Sequence, residues 1–174
     1  MPNVANVILN GILKPPHLLL EKGFERAAVV LVYSGMDAMT FMNLPAGQTG
    51  STRKDYIAWA EQYIRFPCHE KVTGVELYAA RCGVLHTFTP DSDLSREGKA
   101  RRIFYIDQHT PEVSHDAAVA SDVVVVSVHG LYTAFENGVR QFLKDLHTDA
   151  ARETLALERL DKMFHDIPQD SGGK

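Results

Sequence analysis

The stretch "TGVELYAARCGVLHTFTP", residues 73–90, decides how the rest of the chain is read. Thr73 and Glu76 are spaced as a T-x-x-E capping box, in which the hydroxyl accepts an N–H of the first helical turn and the carboxylate accepts the threonine N–H. A helix therefore opens here. It must close before Pro90, because the residue preceding a proline is pushed out of the helical region. Its apolar spacing marks it as a core helix, yet it carries Arg81 and His86 with only Cys82, Gly83, Val84 and Leu85 between them. In an α-helix five residues turn the chain by about 500°, so the two Cα atoms stand about 140° apart around the axis and about 7.5 Å along it. To bring both heads onto one atom, the arginine arm must reach around, the helix must loosen near Gly83, or a second copy of the helix must approach.

Working outward, Leu20, Phe24, Ala27, Ala28, Leu31, Gly35, Ala38, Met39 and Met42 recur at steps of three and four after Pro15-Pro16. That period predicts one long helix. Gly35 lies on its apolar stripe, where a small residue lets another helix come close. Pro45, Gly47 and Gly50 end the element. Thr52 and Asp55 give a second capping signal, and Tyr56, Ala60, Tyr63 and Ile64 share a face before Pro67. Past Pro90 the pattern changes: "RIFYI" (102–106) and "VVVVSV" (123–128) are short β-like runs, expected to pair as a small antiparallel hairpin. Leu131, Phe135, Val139, Phe142 and Leu146 restore a helical stripe. Asp149 is the expected N-cap of a last helix through Leu157, Leu160 and Phe164. The tail, residues 167–174, is expected to be disordered. The sum is a mainly α fold of one domain over residues 1–174, a bundle of about five helices with a small antiparallel β insertion near residues 102–128.

Bulk properties narrow the function classes. A chain of 174 residues with 45% hydrophobic and 23% charged residues is long and apolar enough to bury a core and is not a disordered composition. Two cysteines, Cys68 and Cys82, are too few for a disulfide scaffold. Together with the lack of a basic region before the N-terminal apolar residues, they point to a cytoplasmic protein without a secretory leader. No apolar run reaches the roughly 18–20 residues that a membrane span needs. Neither a P-loop nor G-x-G-x-x-G occurs, which sets aside nucleotide-driven motors and dinucleotide enzymes. The net charge of −4 means that any contact with nucleic acid must come from a local patch. "SREGKARR" (95–102) offers one: Arg96, Lys99, Arg101 and Arg102 against Glu97. It reads either as a phosphate-tracking patch or as a solvated loop.

Arginine and histidine together suit a phosphodiester. The guanidinium fork holds two phosphate oxygens and stabilises charge developing on phosphorus, while the imidazole gives or takes a proton near neutral pH. RNA brings its own nucleophile, the 2′-hydroxyl, so no metal or cofactor is called for. The string from Arg81 to His86 matches the shortest form of the R-x4-6-H motif, and this region resembles the HEPN superfamily of helical-bundle proteins. The order of elements over residues 16–165 is similar as well. The resemblance implies a metal-independent endoribonuclease working as a homodimer on RNA, with Arg81 and His86 as catalytic residues. Members commonly carry a polar residue after the motif arginine, where this chain has Cys82, and often a tyrosine two places after the histidine, where it has Phe88. These departures keep a second reading open, a catalytically silent module that binds RNA, a nucleotide or a protein partner. A third is a structural homodimer in which Arg81 forms an interface ion pair.

Other groupings are less specific. Cys68, His69, Cys82 and His86 invite a zinc site, but the spacing fits no common zinc finger, so no metal ligand is assigned. Cys82 and His86 also stand as an i,i+4 thiol–imidazole pair, without an oxyanion-hole signature. His129 precedes the helix that begins near Leu131, where it reads as a helix-start residue. Trp59, Tyr56 and Tyr63 offer rings that could stack on bases, but their helical spacing reads first as core.

Overall fold

A computed structural model describes residues 4–66, 70–107, 113–114 and 120–163. The chain starts helical: α1 (Val4–Ile8) passes through a π-helical turn (Leu9–Leu13) into α2 (Lys14–Glu21). Pro15 and Pro16 have no N–H to give the carbonyls one turn back, and the backbone meets them with a widened turn in which Lys14 N–H donates to Leu9 O. The sequence pattern assigns no element to residues 4–14. Their apolar side chains Val4, Ile8, Ile12 and Leu13 nevertheless lie in the core.

The single long helix expected through Met42 is instead two helices. Gly23 takes a left-handed φ of 72°, and Phe24 N–H donates to Leu19 O, so α2 ends and α3 (Glu25–Met42) folds back against it. The apolar period runs across the break because both helices face the same core. Gly35 does what its place on the stripe suggests: a Cβ there would stand 2.6 Å from the Phe135 ring, which seats against the bare helix backbone.

Both capping boxes form. Thr52 and Asp55 open α4 (Arg53–Tyr63), and Thr73 and Glu76 open α5 (Gly74–Thr87). A short α6 (Asp93–Arg96) occupies the polar segment that the sequence reads as loop. Strands β1 (Arg102–Ile106), β2 (Val113–Ser114) and β3 (Val123–Ser127) then form one sheet in the order β1-β3-β2. The β insertion falls where expected, but its pairing differs. β1 and β3, the two runs expected to make an antiparallel hairpin, are parallel with Arg102 opposite Val123, and only β2 runs antiparallel to β3. The physical reason is the connection: residues 107–122 separate the two runs, long enough for the crossover that parallel strands need and too long for a tight turn.

β3 leads directly into α7 (Val128–His147), whose N-terminus is capped by Ser127. Asp149 caps α8 (Ala150–Met163), its carboxylate accepting from Ala151 N–H and Arg152 N–H. The core is filled by Tyr33, Trp59, Phe135 and Phe142, all without exposed surface, and is closed at the sheet by Ile103, Val124 and Val126. Tyr56, Trp59 and Tyr63 are buried among these residues. The architecture is a helical bundle with a small three-stranded sheet, and no helix of the described residues is long and apolar enough to cross a membrane. Residues 167–174, with their expected disorder, and the expected helix residue Phe164 lie outside the described residues.

Candidate functional site

α5 carries Arg81 in its middle and His86 in its last turn. The helix stays α-helical throughout, so neither residue is brought round by a loosened backbone. The arginine arm reaches instead: Arg81 Nη1 lies 3.5 Å from His86 Nε2. A guanidinium only donates, so this long contact is a hydrogen bond in the His86 tautomer whose Nε2 carries the lone pair. The imidazole is exposed, whereas Arg81 is half-buried.

What aims Arg81 is Asp37, a residue the motif does not contain. Arg81 Nε donates to Asp37 Oδ2 at 2.9 Å and Nη2 donates to the same oxygen at 2.8 Å. The side chains are 23% and 31% exposed, so water screens the pair only partly. Burial works against the guanidinium charge and the Asp37 bonds outweigh it, holding Arg81 more firmly protonated than usual. The fork that faces α3 is thus occupied, and Nη1 is the nitrogen left toward His86. Asp37 had a visible signal: after Arg26 it is the only charge on α3, set between Met36 and Ala38. A charge on the side of a helix that packs against its neighbours needs a partner.

The surroundings of the pair are aromatic. Tyr33, one turn before Asp37 on α3, is fully buried and shares a 2.5 Å hydroxyl contact with Tyr105 of β1. Tyr56 donates to Met36 Sδ at 3.1 Å. On α5, Tyr78 and Cys82 stand one turn apart on the same face, and burial, followed by the neighbouring Cys82, pushes the Tyr78 phenol up. Cys82 therefore takes part in the polar surroundings of Arg81 and is half-buried.

The chain turns sharply after His86. Phe88 caps the helix with a φ of 56°, Thr89 N–H donates to Gly83 O, and residues 89–91 fold back over the helix at Gly83. A Cβ at Gly83 would run into the Thr89 carbonyl oxygen and stand 2.8 Å from that of Asp91. Glycine at this point of the motif keeps the loop against the helix, so the His86 turn is held from both sides.

The four cations of the basic segment do not form one free patch. Arg96 pairs with Asp93 at 2.6 Å and Lys99 with Glu97 at 2.7 Å, all on exposed side chains. Arg102 pairs with Asp122 at 2.6 Å. Arg101 is tied most firmly, to Glu76 at 2.5 Å, Glu70 at 2.6 Å and Lys71 O at 2.7 Å. Through Glu76 it grips the capping box that starts α5, so this cation locks the loop to the motif helix. Of the residues weighed for zinc, Cys68 and His69 lie outside the described residues. Among the described residues no three histidine, cysteine or acidic side chains gather as a metal set. His129 sits in the first turn of α7 behind β3. Comparison with protein-family models, with curated proteins and with solved structures gives no match.

Proposed function

We propose that the protein is a HEPN-like, metal-independent endoribonuclease of the cytoplasm that acts as a homodimer. The observation that carries this reading is the meeting of Arg81 Nη1 and His86 Nε2 at the exposed end of α5, with the arginine held from behind by Asp37. In this reading the RNA 2′-oxygen loses its proton and attacks phosphorus, and the bond to the 5′-oxygen breaks, leaving a 2′,3′-cyclic phosphate and a 5′-hydroxyl. Arg81 stabilises the charge on the phosphoryl oxygens, and His86 moves the proton. A single imidazole serves one end of this displacement. The facing copy in a dimer supplies the second, so that one takes the 2′-proton while the other gives a proton to the leaving oxygen. Arg96 and Lys99 have exposed side chains whose carboxylate partners are exchangeable for RNA phosphates, and Arg102 extends the track. Arg101 contributes by fixing the loop that carries them.

The second reading, a catalytically silent HEPN-like module, is favoured by the Asp37 pair itself, which uses two of the three guanidinium nitrogens of Arg81; because that pair lies within one chain, it does not favour a structural homodimer built on an Arg81 interface ion pair. Single-stranded RNA incubated with the protein and a chelator separates the two. The nuclease reading expects cleavage to cyclic-phosphate ends and its loss in Arg81→Ala and His86→Ala. Cleavage that persists in both variants, or intact RNA with the wild type, rejects it.

A further inference from the structure

α5 ends beside a cleft that the Arg81–His86 pair does not use. Val84 and Phe88 wall it on one side, and its volume is about 470 Å³, within the range of about 300–1,000 Å³ typical of ligand sites. Val29, Ile103 and Val128 add to its apolar lining. Consecutive residues 103–107 all line it although their side chains alternate between the faces of the sheet, so the cleft runs along the edge of β1. Arg102 N–H donates to Asp122 O toward β3 at 2.7 Å. The alternation of a parallel pair then turns the N–H and C=O of Ile103 and Tyr105 to the other side. Among the described residues β1 pairs with β3 alone, so the groups of Tyr105 lie unpaired on the free edge beside the cleft, whereas Ile103 is buried.

Two aromatic rings stand exposed at this cleft, Phe88 at 76% and Phe104 at 42%. Phe88 is also the one non-glycine among the described residues with a positive φ, in a helix-ending position that glycine fills without strain. A bulky side chain held there gains no burial in return, and strain of that kind concentrates at sites of function. Successive Cα atoms lie 3.8 Å apart, so Phe88 is within about 7.6 Å of His86, the scale of one nucleotide step in an extended strand. Arg26, exposed at the rim, has no ion-pair partner among the described residues. Glu25 and Asp107 repel a phosphate from the cleft itself, while their oxygens accept from the amino groups of a base.

We propose that the cleft is a nucleobase subsite for single-stranded RNA. The base stacks on Phe88 and Phe104, its edge meets the free backbone groups of Tyr105, and Arg26 neutralises a flanking phosphate. The proposal rests on reading Arg81 and His86 as acting on RNA, and it adds where the neighbouring nucleotide goes.

A labelled 2′-O-methyl oligoadenylate, which has no 2′-hydroxyl nucleophile, reports binding free of cleavage; the same strand with abasic positions is the comparison. The wild type is expected to prefer the adenine strand by on the order of tenfold in fluorescence anisotropy. Phe88→Gly, which suits the left-handed position and keeps the fold, and Phe104→Ala should each reduce that preference. Equal binding of the two strands by the wild type, or an unchanged preference in a folded Phe88→Gly variant, overturns the subsite. Failure of the nuclease reading looks different: the base preference persists while unmodified RNA stays intact. Cleavage without any base preference removes the cleft alone, and binding of neither strand rejects it outright.

Discussion

Asp37 holds Arg81 through both Nε and Nη2, across the contact between α3 and α5. The pair thus joins two helices as well as aiming a guanidinium. Asp37→Asn preserves shape and removes the charge, and it is expected to cost about 1–2 kcal/mol of stability in denaturant titration. Under the nuclease reading it should also lower RNA cleavage more than it lowers RNA binding, because it frees an arginine that still attracts phosphate but is no longer aimed. An Asp37→Asn protein with wild-type stability would show that the pair is not a structural link.

Gly83 sits under the carbonyls of Thr89 and Asp91, both backbone atoms that cannot swing aside as a side chain would. Gly83→Ala should therefore cost about 1–3 kcal/mol by overpacking, despite the better helix propensity of alanine. Gly50, where a Cβ meets nothing, is the control: Gly50→Ala should be neutral or slightly stabilising. Thermal melts of the two variants check this. Equal melting temperatures would mean that the 89–91 turn does not lean on the helix.

Much of this arrangement was written locally in the sequence. The two capping boxes, the small residue at Gly35 and the N-cap at Asp149 are short-range signals, and each forms as spaced. The break at Gly23 was hidden because two helices packed on one core share one hydrophobic period. The parallel register of β1 and β3 was hidden because strand direction depends on where the connecting chain crosses, which residue alternation does not encode. At the candidate site Arg81 and His86 stood out by spacing, but their contact depended on a side-chain conformation set by Asp37, forty-four residues earlier in the chain. The basic segment shows the same limit, since the carboxylates that neutralise Arg101 come from Glu70 and Glu76.

Glu76 links the capping box to Arg101, and this gives the fold an acid-sensitive point. Burial pushes its carboxyl up, but the hydrogen bonds from Arg101 and from Thr73 N–H outweigh burial and hold it below the ordinary glutamate value of 4.5. A carboxylate lowered in the folded state contributes stability above its unfolded pKa, and that contribution is lost as pH falls through the folded value. Stability from this site should thus be constant near neutrality and decline below about pH 4.5. Glu76→Gln should lower stability at neutral pH and flatten the acid decline, measured as denaturation midpoints over a pH series. A decline of the same slope in both proteins would assign the acid sensitivity to other carboxyls.

The hydroxyls of Tyr33 and Tyr105 satisfy each other at 2.5 Å, tying α3 to β1 beneath the Arg81 pair. Tyr33 is fully buried, and although the Tyr105 residue is half-buried, burial pushes both phenols up. Removing the Tyr105 hydroxyl strands a buried phenol that water does not reach, so Tyr105→Phe should cost about 1–3 kcal/mol. Tyr33→Phe strands the Tyr105 phenol in the same way, since burial pushes that phenol well up too, and should cost a similar amount. In the double variant no donor is stranded, so its loss should be smaller than the sum of the single losses by about 1 kcal/mol or more. Strict additivity in that cycle would show that the two hydroxyls stabilise the fold independently and that the tie between helix and strand lies in the apolar contact of the rings.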